Sequence, residues 1–425
     1  MATFKMIHTG DWHIGKSLKK TDRTEEQEAL LTQLATLCHA EQPDALLICG
    51  DIYDNATPQF ENQTFFNHCM EQLYKSCPSM TIVAISGNHD GQRKLKVERN
   101  LLRYINVHII NEPASTPDGQ ADYAAQVVTI TSSDGQPKAL IGAMPFCYPQ
   151  NLPTTADDGQ TDGQNDNTDR TAVYLRGLAM HLEQINTSHL PAVLMAHIAL
   201  GHCNHQGNET SNDTQTGREY IGGMATIETQ QLGSGYQYLA LGHIHQPQTM
   251  RLKDGLIARY AGSPLAVSFD EDYPHSVTVV QFEGDRLIEN YQVEIENPVP
   301  LITLPHQPAA FDKALAELKK FPAEQKAKIR LNITSPDTVP NDYSEQIDKA
   351  TCDKQCRCIK LRYSEVSVCN PDAIEEISTE AFRQMTPMEL AERYYQYKHP
   401  DDEMDENIKK CLTEVIDEIT KEEQA

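Results

Sequence analysis

The chain is 425 residues long, carries a formal net charge of −25 and holds eleven cysteines. Its length exceeds one average core and predicts two or three domains. No apolar run approaches the roughly 20 residues that span a bilayer, which excludes a helical membrane protein, and the scattered thiols read as reduced and cytoplasmic, not as a disulfide framework.

In chain order, FKMIHTGDWH ends a strand-like run in Asp11 and His13. An amphipathic helix is predicted over 25–38, and DALLICGDIYD then ends a second run at Asp51, with Asp54 three residues on. A helix over 60–74 leads to TIVAISGNHD, which closes on Asn88 and His89. The segment LPTTADDGQTDGQNDNTDR (152–170) is poor in apolar residues and reads as a mobile surface insertion. PAVLMAHIALGH ends a run at His197, with His202 as a rival, and YLALGHIH ends in His243 and His245. Beyond Gly262-Ser263-Pro264, HSVTVVQF and GDRLIENYQVEI predict a closing antiparallel hairpin, and ENPVP (296–300) a linker.

The remainder divides in two. Residues 301–370 read as LITL, a helix over 311–321, KIRLNIT, a helix over 343–352 and IKLRYSEV, a small β-α-β-α-β module. Residues 371–425 hold two helical patterns. Thr386-Pro387 opens one as N-cap and first-turn proline, and Ile408, Cys411, Leu412, Val415, Ile416 and Ile419 form a 3.6-period stripe in the other.

Runs such as LLIC and TIVAIS are continuous and bounded by Gly, as expected of strands buried on both faces of a parallel sheet. Strand alternating with helix implies βαβ units, whose ligands gather beyond the carboxyl ends of the strands. Asp11, His13, Asp51, Asn88, His197, His243 and His245 all fall there. The pairs Asp11/His13 and His243/His245 are spaced i, i+2, so both members can point to one side of an extended segment. Imidazole, carboxylate and amide oxygen without thiolate suit Mn²⁺, Fe²⁺ or Zn²⁺ better than Ca²⁺. Seven ligands are too many for one catalytic ion with an open position, and they suffice for two if Asp51 bridges.

The order DxH, GDxxD, GNHD, a lone His and GHxH resembles the calcineurin-like metallophosphoesterase superfamily. HTGDWHIG, GHIH followed by RYAGSP and SFDE, and the overall length resemble more narrowly the SbcD nuclease-subunit family. The motifs span residues 8 to about 271, and AHIALGH departs from the pattern by placing Ala before its His. The resemblance implies an α/β metallophosphoesterase sandwich of β-sheets flanked by helices over 1–295, an α+β capping domain over 301–370 and an acidic helical region over 371–425. It implies two divalent ions, Mn²⁺ preferred, with Mg²⁺, Fe²⁺ or Zn²⁺ as alternatives. Asp11, His13 and His245 would hold one ion, Asn88, His197 and His243 the other, and Asp51 would bridge. His89 would be the catalytic histidine that binds neither ion, and Asp54 the acid that orients it. The implied activities are 3′→5′ exonuclease and single-strand or hairpin endonuclease. The implied partners are DNA and an SbcC-type ATPase gripped by the C-terminal helices, in a heterotetramer containing two copies of this chain.

Several features keep two readings. A net charge of −25 is unusual for a DNA enzyme, but residues 111–170 and 371–425 hold −7 and −10 of it. Lys16, Lys19, Lys20 and Arg23, and then Arg93, Lys94, Lys96, Arg99 and Arg103, lie beside motifs and would line a phosphate path or form solvated faces. Trp12, the only tryptophan, packs beneath the site or stacks on a base. Cys352, Cys356, Cys358 and Cys369 lack a standard zinc spacing. Histidines such as His39, His68, His108 and His181 have no ligand context. The motifs alone also permit a phosphoesterase acting on nucleotides or phosphoproteins, and a non-catalytic tether of DNA ends is a third reading.

Overall fold

Most apolar runs of the first 300 residues become strands and the amphipathic runs between them become helices. A computed structural model describes residues 3–155 and 167–363, apart from 20, 207, 209, 213–218, 253 and 254, and isolated residues between 386 and 413. It divides into compact units of residues 1–365 and 366–425. Lys20, Cys369 and residues 156–166 of the predicted insertion lie outside the described residues.

The first half contains β1 (Thr3–Thr9), α1 (Thr24–Glu41), β2 (Ala45–Cys49), α2 (Phe60–Ser76), β3 (Thr81–Ile85), α3 (Gln92–Leu102) and β4 (Val107–Ile110). Next come β5 (Val127–Thr131), β6 (Pro137–Met144), α4 (Asn167–Ile185) and β7 (Ala192–His197). Three short strands follow, β8 (Thr210–Asn212), β9 (Glu219–Ile221) and β10 (Met224–Ala225). Then come β11 (Tyr238–Gly242), β12 (Gln248–Arg251), β13 (Ile257–Tyr260), β14 (Ser276–Glu283) and β15 (Arg286–Glu294). The last elements of the first unit are β16 (Leu301–Ala309), α5 (Phe311–Lys320), β17 (Ala327–Ile333), α6 (Tyr343–Thr351) and β18 (Cys356–Tyr363).

Two six-stranded sheets form a sandwich. One has the order β15-β14-β1-β2-β3-β4, the other β12-β13-β11-β7-β6-β5. Within the first, β1 to β4 are parallel and β14 and β15 close it as the predicted antiparallel hairpin. Within the second, β6, β7, β11 and β13 are parallel. Alternation explains why these strands are apolar on both faces. In β2, Leu47 and Cys49 meet Val193, Met195 and Ala240 of the opposing sheet, while Leu46 and Ile48 face Leu34, Phe66, Met70 and Leu73 of α1 and α2. On the other outer face, Leu194 and Leu239 pack with Leu175, Leu178 and Leu182 of α4. The buried residues of α2, Phe66, Cys69, Met70 and Leu73, recur at i, i+3, i+4 and i+7.

The two ends of the segment 152–170 are anchored to the fold. Leu152 is buried in the α4 core, α4 begins at Asn167, and Arg170 donates to the carbonyls of Pro149 and Leu152 at 3.0 and 3.1 Å. Composition could not reveal this, because one leucine and one arginine are enough to anchor it.

β16, β17 and β18 make a separate parallel sheet covered by α5 and α6, with Phe311, Leu315, Leu318, Ile329 and Leu331 at its core. It meets the sandwich through buried charge. Lys328 Nζ donates to Glu26 Oε2 at 2.6 Å, and Arg23 Nε donates to Glu26 Oε1 at 3.0 Å, all three side chains being almost fully buried. In the second unit, Thr386 Oγ1 accepts the Glu389 N–H at 3.3 Å and Glu389 Oε2 accepts the Thr386 N–H at 2.7 Å, a reciprocal cap. Ile408, Cys411, Val415, Ile416 and Ile419 lie outside the described residues.

Candidate metal centre

The carboxyl ends of β1, β2 and β3 are adjacent in one sheet, and those of β7 and β11 in the other. The chain must turn sharply there while aiming polar side chains across the gap. Asp11, His13, Asp51 and His243 all take positive φ, of 53, 45, 48 and 95°. Each costs an L-residue on the order of 1 kcal/mol or more, and such strain persists only where the surroundings over-determine it. Gly50, at φ +90°, has no room for a Cβ, which would strike the His197 ring. A Cβ on Gly242 would strike the Cys49 carbonyl of the opposing sheet. These glycines let the two strand edges touch.

The expected ligands form two clusters: Asp11, His13 and His245 lie together, as do Asp51, His197 and His243, and His13 also groups with the half-buried Asp54 and His89. Asn88 Oδ1 stands 2.9 Å from His197 Nε2 and 3.2 Å from His243 Nδ1. His13 Nε2 and His245 Nε2 face each other at 3.2 Å. Asp51 Oδ2 lies 3.4 Å from His197 Nε2 and 3.8 Å from His13 Nε2, between the clusters.

The remaining ring nitrogens assign the protons. A carbonyl only accepts, so the contacts of His197 Nδ1 to Cys49 O at 2.9 Å and of His243 Nε2 to Ile221 O at 2.7 Å require an N–H at those atoms. In its neutral form each ring then turns a bare nitrogen toward Asn88 Oδ1, lone pair against lone pair. His245 Nδ1 likewise donates to the buried Glu271 Oε1 at 3.0 Å, leaving Nε2 bare toward His13. Buried ring nitrogens and an amide oxygen converging in this way are what a cation requires. The nitrogen and oxygen donor set fits a borderline divalent ion.

The electrostatics agree. Burial pushes the Asp11 carboxyl up to about 6, against the pull of His197 and His245. Burial also works against ionising Asp51, but the rings of His197, His13 and His89 prevail and hold it well below the usual carboxylate range. Against burial, Asp51 and Asp11 hold His197 up to about 9, so a metal that binds its Nε2 takes the place of a proton on the ring. Two buried carboxylates thus draw positive charge into the cleft.

His89 sits beside this cluster. Its backbone N–H donates to Asp51 Oδ1 at 2.9 Å, and its ring meets that of His13 edge-on at 4.9 Å between centroids. Its Nδ1 donates to the Asp54 carbonyl at 2.9 Å. Asp54 therefore meets His89 through its main chain, where a carboxylate contact was expected. Its carboxylate is taken by Lys16 Nζ at 3.0 Å and lies 3.5 Å from His13 Nδ1. The basic clusters are mixed. Lys19 and Lys94 are exposed, Lys96 is exposed but pairs with Glu112 at 2.8 Å, and Arg23 is buried and engaged, which removes it from any phosphate path. Arg93 lies on α3. His202 is exposed beside Glu228 and outside both clusters. Trp12 packs in the core, donating to Thr9 Oγ1 at 3.0 Å.

Three supporting residues carry no role in the sequence reading. Glu271 belongs to the SFDE motif, and its Oε2 also accepts from Val267 N–H at 3.1 Å and Ser263 Oγ–H at 3.2 Å. Asp90, the last residue of GNHD, accepts the N–H groups of Ile52, Tyr53 and Gly87 at 3.1, 2.8 and 2.8 Å, tying the Asp51 turn to the Asn88 turn. Asn208 donates to His243 O at 2.9 Å, with no signal in its own neighbourhood.

Residues 4–247 match the calcineurin-like phosphoesterase family, and the chain belongs to it. The SbcD components of SbcCD nucleases are similar over most of their length. The chain is 31% identical to that of Rhodobacter capsulatus, over 72% of this chain and 73% of the relative. It is 28% identical to those of Bacillus subtilis and Escherichia coli, over 70% of this chain and 71% and 70% of theirs. Within the phosphoesterases, the chain is thus a member of the SbcD family.

Proposed function

We propose that this chain is a two-metal DNA nuclease subunit, with 3′→5′ exonuclease and single-strand or hairpin endonuclease activity, working with an SbcC-type ATPase. The observation that carries the reading is the convergence of ring nitrogens from His197, His243 and His245 on Asn88 and His13, beside Asp11 and Asp51. Asp11, His13 and His245 would hold one ion and Asn88, His197 and His243 the other, with Asp51 between them. Bound divalent cations there, Mn²⁺ by preference, would clamp the phosphate oxygens and acidify a water for in-line attack.

The chain's own residues do the rest. Glu271, Cys49 and Ile221 fix the tautomers of the three histidines. Because His89 Nδ1 carries the proton given to Asp54 O, its Nε2 is the atom that would deliver a proton to the leaving alkoxide. Lys19 and Lys94 would attract the backbone of the strand, and the module of β16 to β18 would cap the duplex. The C-terminal helical segment would grip the ATPase in a helix-in-groove mode, two copies of each chain forming the complex.

The test is digestion of hairpin DNA labelled at the 5′ or the 3′ end, with Mn²⁺ or with chelator, and with and without the ATPase. Metal-dependent release of 3′-terminal nucleotides and cleavage at the hairpin are expected. Hydrolysis of bis(p-nitrophenyl) phosphate with intact DNA would reassign the chain to a small-diester phosphoesterase.

A further inference from the structure

His197 is among the residues that line a cavity of about 220 Å³. That space is several times the roughly 30 Å³ share of one water. Its other walls are Met144, Phe146, Tyr148, Met224 and Ile227, and no Lys, Arg, Asp or Glu lines it among the described residues. Phe146 and Tyr148 meet edge to face at 5.0 Å, and Tyr148 is 56% exposed despite its size. An apolar, aromatic, uncharged cavity does not suit a phosphate, which belongs with the carboxylates, histidines and their cations. It suits a flat, neutral group attached to that phosphate.

The cavity is held open by backbone hydrogen bonds of the loop that lines it. Phe146 N–H donates to Ser86 O at 2.8 Å, fastening the aromatic loop to the turn after β3 that carries Asn88. From the other side, Arg170 of α4 donates to the carbonyls of Pro149 and Leu152. A loop braced at both ends pays little ordering entropy when a ligand arrives.

Building on the nuclease reading, we infer that this cavity is a nucleobase subsite, which takes the base of a nucleotide flanking the cleaved phosphodiester. Tyr148 and Phe146 supply the stacking faces and His197 joins the subsite to the metal centre. The base must be unpaired to enter, so the subsite favours frayed ends, hairpin loops and single strands over intact duplex. Stacking is tolerant of base identity, because every base offers a π-face. Gln150 and Thr171 also belong to its lining and offer polar groups.

The experiment uses the full-length protein with Mn²⁺ and a single-stranded oligonucleotide, either complete or bearing an abasic analogue next to the cleavage position. Bis(p-nitrophenyl) phosphate reports the metal centre alone. Stacking is worth a factor of about ten in kcat/KM per base, so wild type should lose about tenfold on the abasic strand. Tyr148→Ala should lose about tenfold on the complete strand and much less on the abasic one. Ala225→Phe, which narrows the cavity from its β10 side, should reproduce that pattern. Equal losses of Tyr148→Ala on both strands, or equal rates of wild type on both, would overturn the subsite while leaving the nuclease reading intact. Wild type that hydrolyses the small diester but cuts neither strand would overturn both.

Discussion

Replacing Glu271 with Gln isolates the contribution of one carboxylate that braces a candidate ligand without being one itself. Its Oε1 accepts from His245 Nδ1, and its Oε2 from Val267 N–H and Ser263 Oγ–H, in a fully buried setting. Glutamine keeps one acceptor oxygen. If that oxygen stays on His245, the amide NH₂ is turned on the Val267 N–H, and one buried donor goes unpaired at a cost of about 1–3 kcal/mol. The charge that orients and enriches the His245 ring is lost in either orientation. Partners of this kind change metal affinity by about 10–100-fold, or roughly 1.4–2.7 kcal/mol. The expected result is one class of Mn²⁺ site weakened by that factor in titration calorimetry, with kcat recovering at saturating Mn²⁺ and an unchanged circular dichroism spectrum. Mn²⁺ affinity within twofold of wild type in a folded variant would refute the reasoning.

His89→Ala leaves the backbone N–H that Asp51 accepts, so both metals should bind normally while turnover falls by about 10²–10⁴. Metal analysis beside DNA cleavage checks both halves. Glu26→Leu strands the nearly buried Arg23 and Lys328 without their shared carboxylate. A loss of about 3–5 kcal/mol in urea unfolding is expected, much of it recovered by adding Lys328→Met. His8 is pushed down to about 3 by burial and by Arg259. Its unfolded form binds a proton near pH 6.5 and its folded form does not, so stability present above 6.5 drains away as pH falls toward 3. Between pH 7.5 and 5 this one group should withdraw about 2 kcal/mol. In metal-free protein, His8→Gln should shrink the pH difference in unfolding free energy by that amount, and an unchanged difference would show that His8 does not titrate on unfolding.

Some of this architecture is written in short stretches of chain. The runs at β2, β3, β7 and β11 each end in Asp, Asn or His, and periodicity over five to eighteen residues suffices to place strand, helix and turn. The seven candidate ligands are legible for that reason, since a strand can deliver a side chain only at its end or its face. The reciprocal cap at Thr386 and Glu389 is equally local.

Tertiary structure decided what depends on register between distant segments. Asp54 offers His89 its carbonyl because Lys16 and His13 occupy the space around its carboxylate, a fact of three loops meeting. Glu271 reaches His245 across 26 residues, and Asn208 reaches His243 across 35. Arg23 looked like a surface base, yet β17 brings Lys328 over Glu26 and the charge is buried. The tautomers of His197 and His243 are set by carbonyls of Cys49 and Ile221, which belong to no motif. A sequence names the groups that can bear charge or bind metal. Which nitrogen is bare, and which carboxylate is spoken for, follows from packing two sheets face to face with their strand ends together, where each buried polar atom must find a partner or be left to a cation.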